Sequence, residues 1–123
     1  ESNETFDLPK DHIDYGKQVA AYYYWVFPNM MFNFYPWGLS VNIVKPISTN
    51  RTKVSFLTYI YDPSKLHKGA GNDIDKVERE DEFIVENESR GIQSSFYQSG
   101  RFSPTREKGV HHFQRLIAQF LDK

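Results

Sequence analysis

From Val19 to Tyr61 the sequence is a succession of apolar, aromatic and β-branched stretches joined by connections of only a few residues. Parallel neighbouring strands need a crossover of roughly a dozen residues, so strands joined this tightly must be antiparallel. Val19 to Tyr35 is dense in Tyr, Trp, Phe and Val and is broken by Pro28-Asn29, which predicts two strands meeting at a tight turn. Beyond Pro36-Trp37-Gly38, Leu39, Val41 and Ile43 alternate with Ser40 and Asn42, the period of a third strand with one buried face. Pro46 to Arg51 reads as a turn, and Lys53 to Tyr61 as a fourth strand. The expected order is a meander.

Before it, Glu1 to Gly16 is polar, carries Pro9 and shows no sustained period, so residues 1–17 are read as an irregular segment ahead of a folded part spanning 18–123. After it, Asp62 to Asn72 reads as a loop. From about Asp73 the spacing becomes helical, with Ile74, Val77, Ile84 and Val85 on one face and Glu78, Glu82 and Glu86 in a row on another. Gly91 is expected to end or interrupt this helix, and Ser94 to Arg106 to form a loop. A last helix carries Val110, Phe113, Leu116, Ile117, Phe120 and Leu121 at spacings of three and four, a stripe wide enough to cover a sheet face. The fold class is therefore α+β, in a chain of 123 residues too small for two independent cores.

Composition removes several functions. There is no cysteine, hence no disulfide, no Cys-ligated zinc and no iron–sulfur cluster within this sequence. A formal net charge of -1 provides no bulk attraction to nucleic acid or an anionic membrane, and neither is expected as a partner. No apolar run approaches the roughly 20 residues of a membrane span and no basic-then-apolar signal opens the chain, so the default expectation is a cytoplasmic protein in which the Asn-x-Ser/Thr matches at Asn3, Asn50 and Asn87 are chance. With Glu1 rather than Met at its head, the sequence is expected to continue upstream.

Among the acids, Asp81 is out of place. It lies four residues after Val77, three before Ile84 and four before Val85, inside the apolar stripe of its helix. An unpaired buried charge is costly, so a carboxylate there is neutralised, paired or bound to a metal. Two readings stay open: a helix rotated so that Asp81 is solvated with Glu80 and Glu82, or Glu88, almost in line with it, as the special acid. His111 and His112 are adjacent and point to different sides of a helix, while His12 and His67 fall in predicted loops. None has the spacing of a metal-ligand pair.

These residues resemble a family. The run Tyr22, Tyr23, Tyr24, Trp25, Val26, Phe27, Pro28, Asn29, then Met31, Asn33, Tyr35, Pro36 and Trp37, resembles the core strands of Rieske-type non-haem iron oxygenase alpha subunits, especially the branch with choline and carnitine monooxygenases. Asp81, Glu86, Ser89, Arg90 and Gly91, then Gly100, Arg101 and Ser103, then Glu107, Gly109, Val110, His111, His112 and Phe113, are similar in order and spacing to the family's closing segment. The resemblance spans roughly residues 18–121.

The resemblance implies a helix-grip (START-like) fold, an antiparallel sheet curled around a long C-terminal helix, incomplete in this chain. It implies O2-dependent hydroxylation of an aromatic or quaternary ammonium substrate at an iron held by two histidines and one carboxylate. By position relative to Glu86 and Gly91 that carboxylate is Asp81; Tyr24 and Phe27 are candidate pocket walls. The implied cofactors are mononuclear Fe(II) and a 2Fe-2S cluster in the full-length protein, with none expected on this stretch. The family's Asp/Glu-x-x-His followed by a second His, and its Cys-x-His and Cys-x-x-His motifs, are not in this sequence. The expectation is the C-terminal part of a catalytic domain, inactive alone. Its partners would be its own N-terminal Rieske domain, a reductase or ferredoxin, and further copies in a trimer. The alternative is a non-enzymatic helix-grip domain binding an apolar small molecule. The enzyme needs Asp81 facing the cavity, whereas a carrier leaves it in solvent.

Overall fold

The computed structural model describes residues 4–122; Glu1 and the Asn3 match lie outside them. The chain divides into two compact units, 1–74 and 75–123.

The first unit is a four-stranded antiparallel meander, β1 (Tyr22–Val26), β2 (Met30–Tyr35), β3 (Gly38–Ser48) and β4 (Arg51–Ile60), in the order β1-β2-β3-β4. Residues paired across such a sheet share a face. Tyr24↔Phe32, Phe32↔Val41 and Val41↔Leu57 define one face, to which Phe34, Leu39 and Tyr59 also belong. Tyr23↔Asn33, Asn33↔Ser40 and Ser40↔Thr58 define the other, which is more polar. Burial concentrates at the β2–β3 turn, where Tyr35, Trp37, Ser40 and Val41 are the buried residues. Tyr35 and Trp37 stack with ring centroids 5.1 Å apart and planes 10° from parallel.

Two boundaries differ from the sequence reading. Val19 precedes β1 rather than starting it, and its carbonyl accepts a hydrogen bond from the Phe6 N–H at 2.9 Å, tying the N-terminal segment back to the chain. β3 runs through Pro46, where a turn is expected from sequence, to Ser48. Proline is tolerated there because the pairing with β4 slips between Pro46 and Ser48, and at such a bulge the missing N–H costs no ladder bond.

β4 leads through a 3-10 turn at Pro63–Lys65 to α1 (Ile74–Ile92). The second unit contains the rest of α1 and α2 (Lys108–Leu121). α1 runs through Gly91, where an end or interruption is expected from sequence, and stops one residue later at Ile92. Ahead of α2, the Ser103 N–H donates to Glu107 Oε2 at 2.6 Å and its Oγ accepts from the Arg106 N–H at 3.3 Å. The Phe102 ring lies 5.4 Å from that of His111. The α+β class and its element order, sheet first and helices after, follow the sequence reading.

Candidate functional site

Asp81 stands near the middle of α1, with Val77 one turn before it and Val85 one turn after. Its side chain is exposed, and so are Val77 (52%), Ile84 (52%) and Val85 (63%) of the stripe it shares. Acid and stripe are uncovered together, so accessibility does not separate a cavity-facing carboxylate from a solvated one. Glu88 is exposed in the same helix.

A mononuclear iron in this family's manner needs three protein donors. Among the described residues no three of His, Cys, Asp and Glu come together in an arrangement able to hold a metal. Asp81 matches such a site in kind, being a hard anionic oxygen on a regular helix, but it is one donor of three.

The sheet unit holds a cleft of about 760 Å³ at the β2–β3 turn, lined chiefly by Phe6, Asp7, Phe34, Leu39, Tyr59 and Lys65. Phe34, Leu39 and Tyr59 come from one sheet face, as their register requires. Tyr24 belongs to that face without reaching the cleft; its ring stacks on Tyr22 at 6.4 Å and meets Phe34 edge-on at 5.9 Å. Phe27 sits in the β1–β2 turn, edge-on to Trp25 at 5.8 Å, at the opposite end of that hairpin. The structure thus does not bring Tyr24, Phe27 and the cleft together. Phe6 and Asp7 line it from a segment read as irregular, where the signal was a lone Phe and Leu in a polar stretch.

The same N-terminal segment carries the best-defined polar cluster among the described residues. Asp14 accepts from Lys17 Nζ at 2.8 Å and from the Tyr22 hydroxyl at 3.0 Å. The Lys17 hydrogen bond first, then that of Tyr22, holds the Asp14 carboxyl below its ordinary 3.8. Burial first, then the bond to Asp14, raises the Tyr22 hydroxyl above its ordinary 10.0. This is the chemistry of a structural tie rather than of proton transfer, because both shifts favour the groups' neutral-pH forms.

Residues 7–123 match the family described as ring hydroxylating alpha subunit (catalytic domain). The chain is 37% identical over 103 residues to the chloroplastic choline monooxygenase of Arabidopsis thaliana, covering 79% of this chain and 24% of that protein. It is 32% identical over 109 residues to the chloroplastic choline monooxygenase of Spinacia oleracea, covering 84% of this chain and 24% of that protein. The chain thus spans about a quarter of the length of the curated relatives it matches. No solved structure matches it.

Proposed function

The chain belongs to the family of ring-hydroxylating oxygenase alpha-subunit catalytic domains, and from that membership we propose that it is the C-terminal part of a catalytic domain that hydroxylates a quaternary ammonium substrate with O2. The observation that carries this reading is the family match over residues 7–123, which takes in the sheet and the acidic helix together. Asp81 is its carboxylate ligand to mononuclear iron. Two histidine ligands and a 2Fe-2S domain come from the rest of the full-length protein, and a reductase or ferredoxin supplies electrons. When bound, the iron supplies the activation of O2. Hydroxylation inserts one oxygen atom into a C–H bond and reduces the other to water, consuming two electrons from that donor and two protons from solvent.

Preference for a quaternary ammonium ion over an aromatic acid is supported by what the relatives are named for, choline. Aromatic walls suit such a cation, which ring faces attract. Tyr24 and Phe27, which lie apart from the cleft at the β2–β3 turn, are the walls we assign in the full-length protein. The relatives are named as chloroplastic, and no helix among the described residues is long and apolar enough to cross a membrane; we place the full-length protein with its electron donor, in whichever compartment holds it.

The test is O2 uptake by the full-length protein with a chemical reductant. Choline is expected to stimulate uptake and to be consumed in step with it, while benzoate does neither. Uptake that follows benzoate alone would contradict the substrate assignment. Binding of apolar ligands with no uptake on any substrate would leave the carrier reading.

A further inference from the structure

The cleft at the β2–β3 turn lies wholly within the sheet unit, and three segments of the chain build it. The sheet contributes Phe34, Leu39 and Tyr59, the N-terminal segment Phe6 and Asp7, and the 3-10 turn Lys65. Each segment is anchored where it meets the cleft. The Phe6 N–H donates to the Val19 carbonyl at 2.9 Å, and the Phe6 ring lies 5.3 Å from that of Tyr22, whose hydroxyl is bonded to Asp14. Phe34 is held between Phe32, stacked at 6.4 Å, and Tyr24, edge-on at 5.9 Å. The turn that carries Lys65 is fixed at its start, where the Trp37 carbonyl accepts from the Tyr61 N–H at 2.8 Å and the Asp62 N–H at 3.0 Å. Asp62 Oδ1 in turn accepts from the Ser64 N–H at 3.0 Å.

The cleft carries two charges of opposite sign that do not cancel. Neither the Asp7 carboxylate nor the Lys65 ammonium has an ion-pair or hydrogen-bond partner among the described residues, so they do not bridge to each other. Lys65 also lies in the field of Asp62, whose Oδ1 is already bonded to Ser64. Lys65 is half-buried, its stem lying along the wall and its head left for a partner. An acid and a base at separate points of one apolar cleft match a ligand that carries both charges itself, because a lone cation would meet Lys65 and a lone anion Asp7. The rest of the wall is ring and aliphatic surface, which suits an apolar body attached to those charges. The volume of about 760 Å³ is that of an ordinary small-molecule site, roughly 300–1,000 Å³.

We propose that this cleft binds a free α-amino acid with an apolar side chain. Asp7 takes the α-ammonium group, Lys65 the α-carboxylate, and Phe34, Leu39 and Tyr59 the side chain. The site stands on the sheet unit alone and does not depend on the reading of Asp81.

The experiment is calorimetric titration of the full-length protein with L-phenylalanine as the probe. Wild type is expected to bind it, and glycine, which has both charges and no apolar body, is expected to bind far more weakly. Asp7→Asn and Lys65→Met should each weaken L-phenylalanine about fivefold, the scale of a solvent-accessible ion pair. Lys53→Met, near the other end of β4 from Tyr59, should leave the affinity unchanged. Two analogues assign the charges: N-acetyl-L-phenylalanine, without the ammonium, should be insensitive to Asp7→Asn, and L-phenylalanine amide, without the carboxylate, insensitive to Lys65→Met. No binding by wild type, wild-type affinity in both cleft variants, or an equal loss in Lys53→Met overturns the proposal. Loss of binding in Asp81→Ala with wild-type affinity in Asp7→Asn would place the amino acid elsewhere and overturns it as well.

Discussion

At the scale of single residues, the Asp14–Tyr22 pair makes a prediction whose sign is fixed by the two shifts. Asp14 is more acidic folded than unfolded, so its contribution is present above about 3.8 and is lost as pH falls through the depressed folded value. Tyr22 is less acidic folded, so its contribution is present below about 10.0 and is lost as pH rises through the raised value. The tie between the N-terminal segment and β1 is therefore intact across neutral pH and released at both extremes. Tyr22→Phe removes a donor to Asp14, and carboxyl NMR should then show the Asp14 pKa moving up toward its ordinary value. An unmoved Asp14 titration would mean that Lys17 alone sets it. Asp81 was legible as a residue that breaks its helix's pattern, because a stripe of Val77, Ile84 and Val85 makes an intervening acid conspicuous. Phe6 and Asp7 were not, because a lining residue in an aperiodic segment leaves no spacing to read.

At the scale of elements, the meander is held in register by a glycine. A Cβ on Gly38 would collide with the Tyr59 carbonyl oxygen across the β3–β4 pair. Gly38→Ala must push the two strands apart where the core is densest, and should cost about 1–3 kcal/mol, a loss readable in urea unfolding. A variant as stable as wild type would show that β4 can yield there. Strand existence was written in the alternation of residues 39–44 and 53–61, which has no competing helical period. Strand ends were not: Pro46 argues for a turn unless the bulge opposite it is known, and bulges are made by pairing, which one strand's sequence does not contain. The same limit hid which face of β1 shares Phe34, Leu39 and Tyr59, since alternation defines two faces and only the partner strands distinguish them. The helices were easier, because the three- and four-residue spacing of their apolar positions is local and readable from neighbours in the chain.

At the scale of the whole molecule, charge is divided along the chain. The sheet from Tyr15 to Tyr61 contains no Asp or Glu, whereas α1 is rich in both. An acid-free, aromatic sheet and an acid-bearing helix in one chain fit the proposed reading, in which one carboxylate binds metal and the sheet supplies apolar walls. That division also explains why the family was legible while the site was not: the pattern of elements and the acidic helix lie in this chain, whereas no three metal donors come together among its described residues. Asp81 is proposed as the carboxylate that completes the iron site of the full-length oxygenase. It is tested most directly by counting mononuclear iron in the purified full-length protein carrying Asp81→Ala. The 2Fe-2S cluster is expected at wild-type level, judged from its visible absorbance, with the mononuclear iron lost and substrate-dependent O2 uptake abolished. A variant that keeps its full complement of mononuclear iron would contradict it, and Glu88 would then be the acid to test.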